Sequence, residues 1–178
     1  MPLVALKGHR REDLAPMFAT LGFKEGAEVG VRRGQFAEVF CKNIKGLHMT
    51  CIDPWAPYSN YTKTRQDRYF DITKKRLEPY NVTFIRKTSM EALADVPDNS
   101  LDFVHIDGDH SFDYVCPDII FWTKKLKSHG VMICHDYYRF RWAGVVDAVD
   151  AYTSCHAIIP WFMIKHREPT VFWLKPEN

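Results

Sequence analysis

The feature that most constrains this chain is an alternation. Five short apolar runs of strand length stand at 27–31 (AEVGV), 48–53 (HMTCID), 82–87 (VTFIRK), 101–107 (LDFVHID) and 131–136 (VMICHD), with helix-like stretches between them. Side chains repeat near 3.6 residues in a helix and every second residue in a strand, so the two patterns separate on periodicity. Residues 11–23 carry apolar side chains at 14, 17, 18 and 21, one helical face, and 35–44 and 143–154 read the same way. The polar, tyrosine-rich stretch after Asp53 begins as loop and ends as helix. Ser89 reads as the N-cap of a short helix, and 111–126 as the helix after the fourth strand, with Pro117 in or near its first turn. The tail breaks the pattern: 157–165 and 170–175 are strand-like and only four residues separate them, which is a hairpin connection.

Strand–helix units in series predict an α/β fold: a mostly parallel, seven-stranded sheet with helices on both faces and a C-terminal antiparallel hairpin at its edge. The expected organisation is a single domain over 1–178, with a helical segment at 1–26 and the hairpin at 157–175. Crossovers in such sheets are right-handed, and ligands bind where the strands end at their carboxyl side. The informative residues are therefore those just past each strand.

Composition removes several classes of function. A hydrophobic fraction of 46% and a charged fraction of 26% describe a globular chain, and a net charge of +2 gives no electrostatic case for nucleic acid or a membrane surface. The short basic runs at 9–11, 74–76 and 124–125 read as solvated helix faces. Five cysteines without C-x-x-C spacing, two of them (Cys51 and Cys134) inside apolar runs, fit a reducing compartment rather than a disulfide scaffold or structural zinc. With no signal-like or membrane-length apolar segment, a cytoplasmic protein is expected.

Past the first strand stand Glu28, Gly30 and Gly34, glycines that let the backbone turn tightly ahead of the helix at 35–44. Asp53 ends the second strand, where an acid binds ribose hydroxyls in nucleotide-type folds, or else simply forms a turn before Pro54. The fourth strand runs into Asp107, Asp109 and His110, and the fifth into His135 and Asp136. His105, inside the fourth strand, reads as a core residue; Asp113 and Asp118 read as surface or first-turn acids. The tyrosines at 58, 61 and 69 with Arg65 and Arg68 suit either a lid or a mobile surface segment.

Taken together, GAEVGVRRGQFAEVF, CIDPW, LDFVHIDGDHSFDYVCPDI and HGVMICHDY resemble a class I S-adenosylmethionine-dependent methyltransferase. More narrowly they are similar to the small stand-alone group of macrocin and other sugar O-methyltransferases. The resemblance implies a Rossmann-like, doubly wound fold, S-adenosylmethionine as cofactor and a small or sugar-like hydroxyl acceptor, and it leaves a homo-oligomer open. It implies that Glu28 lies under the methionine amino group or shapes the turn, and that Gly30 and Gly34 make room for the cofactor. Asp53 would take the ribose, with Trp55 near the adenosine, Ser89 by the adenine and Asp107 facing the methyl-donor end. It further implies a divalent cation such as magnesium on Asp107, Asp109 and Asp136. The catalytic candidates are Asp107, Asp109, His110 and His135, of which His110 could instead cap the helix that follows it or stay in solvent. Here the chain has His135-Asp136-Tyr137 where the subgroup has D-D-Y; an imidazole in place of a carboxylate leaves room for a softer metal, or for His135 as a metal-free base.

Other readings stay open at this point. HIDGDH is similar to the H-x-H-x-D-H ligand run of metallo-β-lactamase hydrolases, with Asp107 in place of the second His, but strand–helix alternation is not that fold's order. A nicotinamide-dependent dehydrogenase would want G-x-G-x-x-G, which the chain lacks. A non-catalytic binding module of the same fold has little reason to gather this many ionisable groups at one sheet edge.

Overall fold

A strand buried on both faces sends alternate side chains into two separate cores, and β5 (Leu101–Ile106) does so here. Val104 and Ile106 enter one core, and Phe103 enters the other. The computed structural model describes residues 3–176. In chain order they form β1 (Leu3–Leu6), a 3-10 turn (Arg11–Asp13), α1 (Leu14–Thr20), β2 (Glu25–Val29), α2 (Gln35–Asn43), β3 (His48–Ile52), α3 (Lys63–Leu77) and β4 (Asn81–Ile85). There follow α4 (Ser89–Ala92), a 3-10 turn (Leu93–Asp95), β5, α5 (Phe112–Lys125), β6 (Leu126–Cys134), α6 (Val145–Cys155), β7 (Trp161–Ile164) and β8 (Thr170–Leu174). Helices α1 and α2 lie over the core that holds Phe18, Phe40 and Phe103; α5 and α6 cover the opposite one, around Ile119, Trp122 and Trp173.

The strand order is β1-β7-β8-β6-β5-β2-β3-β4, and β8 alone runs against the rest. Two expectations change. The sheet has eight strands, not seven, because the expected helical segment at 1–26 opens with a strand: Leu3–Leu6 pairs in parallel with Trp161–Ile164. The antiparallel member is not at the edge either. β8 inserts between β6 and β7, and β1 closes the hydrogen-bonding edge that β7 would otherwise expose.

Locally, Thr88, not Ser89, caps α4, in a capping box where its side chain accepts from Glu91 N–H and its own N–H donates to the Glu91 carboxylate at 3.0 Å. Pro117 stands in the second turn of α5. All five cysteines are free, and no described helix is long and apolar enough to cross a membrane.

Candidate active site

The sheet ladder continues one residue beyond the strand ends, and this sets the site. Asp107 N–H donates to Val29 O at 2.8 Å, His135 N–H to Ile106 O at 3.0 Å and Asp53 N–H to Ile85 O at 3.2 Å. Residues that follow three different strands are thereby held at one level of the carboxyl edge.

Asp107 is the centre. Its Oδ1 lies 3.5 Å from His135 Nδ1 and 3.6 Å from His110 Nε2, while Oδ2 takes a hydrogen bond from Arg11 Nη1 at 3.3 Å. Asp136 closes the group, with Oδ2 3.2 Å from His110 Nε2 and Oδ1 3.1 Å from His135 Nδ1. Its backbone is left-handed (φ +57°), a conformation Asp tolerates better than most residues. Burial alone would raise the Asp107 carboxyl, but the two imidazoles hold it well below the usual carboxylate range. Burial alone would lower His135; Asp107 and Asp136 outweigh it and lift the imidazole to about 9. His110 is raised as well, chiefly by Asp107 and then by Asp136 against its burial. These are close charge contacts rather than aligned hydrogen bonds: His110 Nε2, His135 Nδ1 and Asp136 Oδ1 are buried and have no hydrogen-bond partner among the described residues.

That donor set fits a cation. Ligand atoms of Asp107, His110 and Asp136 lie within 4.8 Å of one another, and His135, Asp136 and Glu168 make a second such group. Mixed imidazole and carboxylate donors suit manganese, iron or zinc better than magnesium, which prefers oxygen alone. Asp109 is not in either group. Its Oδ1 accepts the Ser111 N–H at 2.8 Å, fixing the turn into α5. The expected all-aspartate set of Asp107, Asp109 and Asp136 is therefore not what the geometry gathers; His110 takes the third place.

The residues expected to hold a cofactor divide. Asp53 stands just past β3 with its Oδ2 accepting from Arg32 N–H (2.8 Å) and Oδ1 from Trp55 N–H (2.7 Å), and lone pairs are left over on each oxygen. Burial raises its carboxyl against those two bonds. Gly30 and Gly34 make room mainly for the protein. A Cβ on Gly30 (φ +91°) would lie 2.1 Å from the Asp107 carbonyl oxygen, and one on Gly34 (φ +71°) 3.0 Å from the Thr73 methyl group. Gly108 does face open space, since an added Cβ would meet only Val29, at 3.9 Å. Glu28 is 2% exposed; its Oε2 accepts the Ala37 N–H at 3.2 Å in the first turn of α2, and burial pushes its carboxyl well up. Of the two alternatives for Glu28, shaping the turn is what this geometry shows.

Trp55 corrects the reading outright. It is 1% exposed, packed on Phe70 at 4.7 Å, with its indole N–H given to Arg32 O at 3.0 Å, so no face is free for an adenosine. Its backbone φ is +40°. Ser89 is committed too, donating to Asp118 in a short hydrogen bond and accepting from Trp122 Nε1 at 2.8 Å. Asp118 is not a surface acid but 4% exposed, and burial raises its carboxyl to about 6. His105 is the core residue expected, stacked on Phe36 at 3.7 Å and pulled to about 3 by burial.

Sequence reasoning missed Arg11. Read as part of a solvated basic run, it instead reaches Asp107 and lies over Phe36. The 3-10 turn that carries it and the β7–β8 turn wall a cleft of about 140 Å³ lined by Arg10, Arg11, Glu12, His135, His166 and Glu168 among others. Beside Asp53, the tyrosines read as either a lid or a mobile surface segment form a stack: Tyr58 on Tyr61 (4.8 Å), with Arg65 over Tyr61 (4.2 Å).

A family model described as a methyltransferase domain matches residues 27–137, from β2 to just past β6. The chain belongs to that family. Its fold is the Rossmann-like α/β fold of class I S-adenosylmethionine-dependent methyltransferases. An O-methyltransferase from Bacillus cereus, solved in complex with SAH, superposes with a TM-score of 0.68 at 13% identity, over 92% of this chain and 79% of that one. Among curated sequences, the methyltransferase is 24% identical over 120 residues to the uncharacterized protein R132 of Acanthamoeba polyphaga mimivirus, covering 65% of this chain and 52% of that protein. It is 42% identical over 52 residues to the uncharacterized protein y4gI of Sinorhizobium fredii, 29% of this chain and 6% of that one. It thus spans about half of one curated relative and a small part of the other.

Proposed function

We propose that this methyltransferase transfers a methyl group from S-adenosylmethionine to a hydroxyl of a small or sugar-like acceptor. One observation carries the reading: Asp107, His110, His135 and Asp136 meet at the carboxyl edge, and His135 also lines the polar cleft. The Bacillus cereus neighbour, an O-methyltransferase holding SAH, supports it. Bound S-adenosylmethionine supplies an electrophilic methyl on a sulfonium. Asp53 would accept the ribose hydroxyls, and the open surface at Gly108 beside Asp107 suits the donor end.

The chain's own work is then positioning and proton removal. The acceptor would enter the cleft between Arg10 and His166 with its hydroxyl against the Asp107–His135 pair, and His135 would take the proton as the methyl carbon leaves the sulfonium sulfur, now a thioether, for the hydroxyl oxygen. At neutral pH the two carboxylates keep His135 protonated, so the free base needs help. A divalent cation held by Asp107, His110 and Asp136 would lower the hydroxyl's pKa and, by neutralising the carboxylates, release His135 as base. In the cytoplasm expected from the cysteines, manganese, iron and zinc all qualify.

The test is methyl transfer from labelled S-adenosylmethionine to a panel of hydroxylated acceptors, with EDTA or with added manganese, zinc or magnesium. Activity on a hydroxyl acceptor that falls at least about a hundredfold in His135→Gln supports the assignment. Methylation of amines only, or a His135→Gln enzyme as fast as wild type, would overturn it.

A further inference from the structure

One helix presents several exposed aromatic and aliphatic side chains. Tyr114, Ile120 and Phe121, between 40% and 62% exposed, share the outer face of α5, whose inner stripe of Val115, Ile119 and Trp122 is buried in the core. An outer face this apolar is uncommon on a surface that only water covers. Its polar members are two. Asp113 stands at the start of the face and Lys124 at its end, eleven residues apart, which is about three turns and leaves them within about 20° of each other around the axis. Both are exposed, and neither makes an ion pair among the described residues; Lys124 only lies over the Phe121 ring at 5.0 Å.

We propose that this face is a homodimer interface in which α5 packs antiparallel on the α5 of a second copy. A two-fold axis crossing the helix midway between Asp113 and Lys124 sets each Asp113 against the partner's Lys124, about 16 Å on along the helix. The same axis falls midway between Pro117 and Ile120, so these two pack on each other across the interface. Both unmatched charges thus find opposite partners, and the apolar residues between them leave water together. A parallel pairing would place like charges together at both ends. The inference is independent of the methyl acceptor.

Sedimentation velocity on the full chain decides it, with thermal unfolding to verify the fold of each variant. The wild type is expected as a dimer, and Ile120→Glu as a folded monomer. Asp113→Lys and Lys124→Asp should each raise the dimer dissociation constant about tenfold or more, because two symmetry-related attractions become repulsions. The double variant Asp113→Lys/Lys124→Asp should return to within about threefold of wild type. A monomeric wild type would overturn the proposal, as would dimers indifferent to Ile120→Glu. Weakening by the single reversals without rescue in the double would overturn the antiparallel pairing.

Discussion

Asp118 makes a sharp case for what burial does to an acid. It lies on the inner face of α5 and its carboxyl is raised from 3.8 to about 6, burial outweighing the Ser89 hydroxyl it accepts. The unfolded chain therefore loses this proton at a lower pH than the folded one. The stability it contributes is full below about 4 and is lost as pH rises through about 6. At about 1.4 kcal/mol for each pH unit of displacement, the ionised carboxylate costs on the order of 3 kcal/mol at pH 8. Asp118→Asn keeps the shape and can still accept from Ser89, but it cannot ionise. Thermal unfolding of both proteins at about pH 3.5 and about pH 8 should show near-equal stability at the lower value. At pH 8 the variant should be the more stable, by about 2 to 3 kcal/mol, or roughly 4 to 12 °C in melting temperature. A difference that does not change with pH, or a variant less stable at pH 8, would refute the argument.

Two further substitutions separate residues that look alike in sequence. Gly30→Ala forces a Cβ against the Asp107 carbonyl at a φ of +91°, and should destabilise the fold by at least about 3 kcal/mol in chemical denaturation. Gly34→Ala, whose Cβ comes no nearer than 3.0 Å to the Thr73 and Leu77 side chains, should cost less, about 1 to 2 kcal/mol. Trp55→Ala should lose about 3 to 5 kcal/mol of stability, yet its folded fraction should bind SAH as tightly as wild type, since the indole is core. A selective loss of SAH affinity in that variant, measured at a temperature where it is folded, would return Trp55 to the binding surface.

Much of the fold is legible because its strands are buried on both faces and its helices on one, and the two periodicities differ. The five parallel units, the hairpin and the convergence of Asp107, His135 and Asp136 all follow from that. β1 escapes because four residues carry too little periodicity, and its partner β7 lies at the far end of the chain. Arg11 escapes for the same reason, since nothing local to His9-Arg10-Arg11 points to β5. Trp55 misleads because a large aromatic beside an acid at a strand end looks ligand-facing, whereas the indole packs on Phe70 in the core. Asp118 was in fact readable: it shares the helical stripe of Val115, Ile119 and Trp122, and the helix dipole was the wrong argument to apply to it. Asp109 and His110 could not be sorted from sequence, because the turn after β5 sends one to Ser111 and the other to Asp136.

The central claim is a cofactor site at the carboxyl edge, and isothermal titration with SAH tests it most directly. Wild type, Asp53→Asn and Trp55→Phe are compared in the same buffer, with and without EDTA. Binding in wild type and Trp55→Phe, weakened at least about tenfold in Asp53→Asn, is what the account predicts. No binding by wild type under either condition, or equal binding by Asp53→Asn, would contradict it.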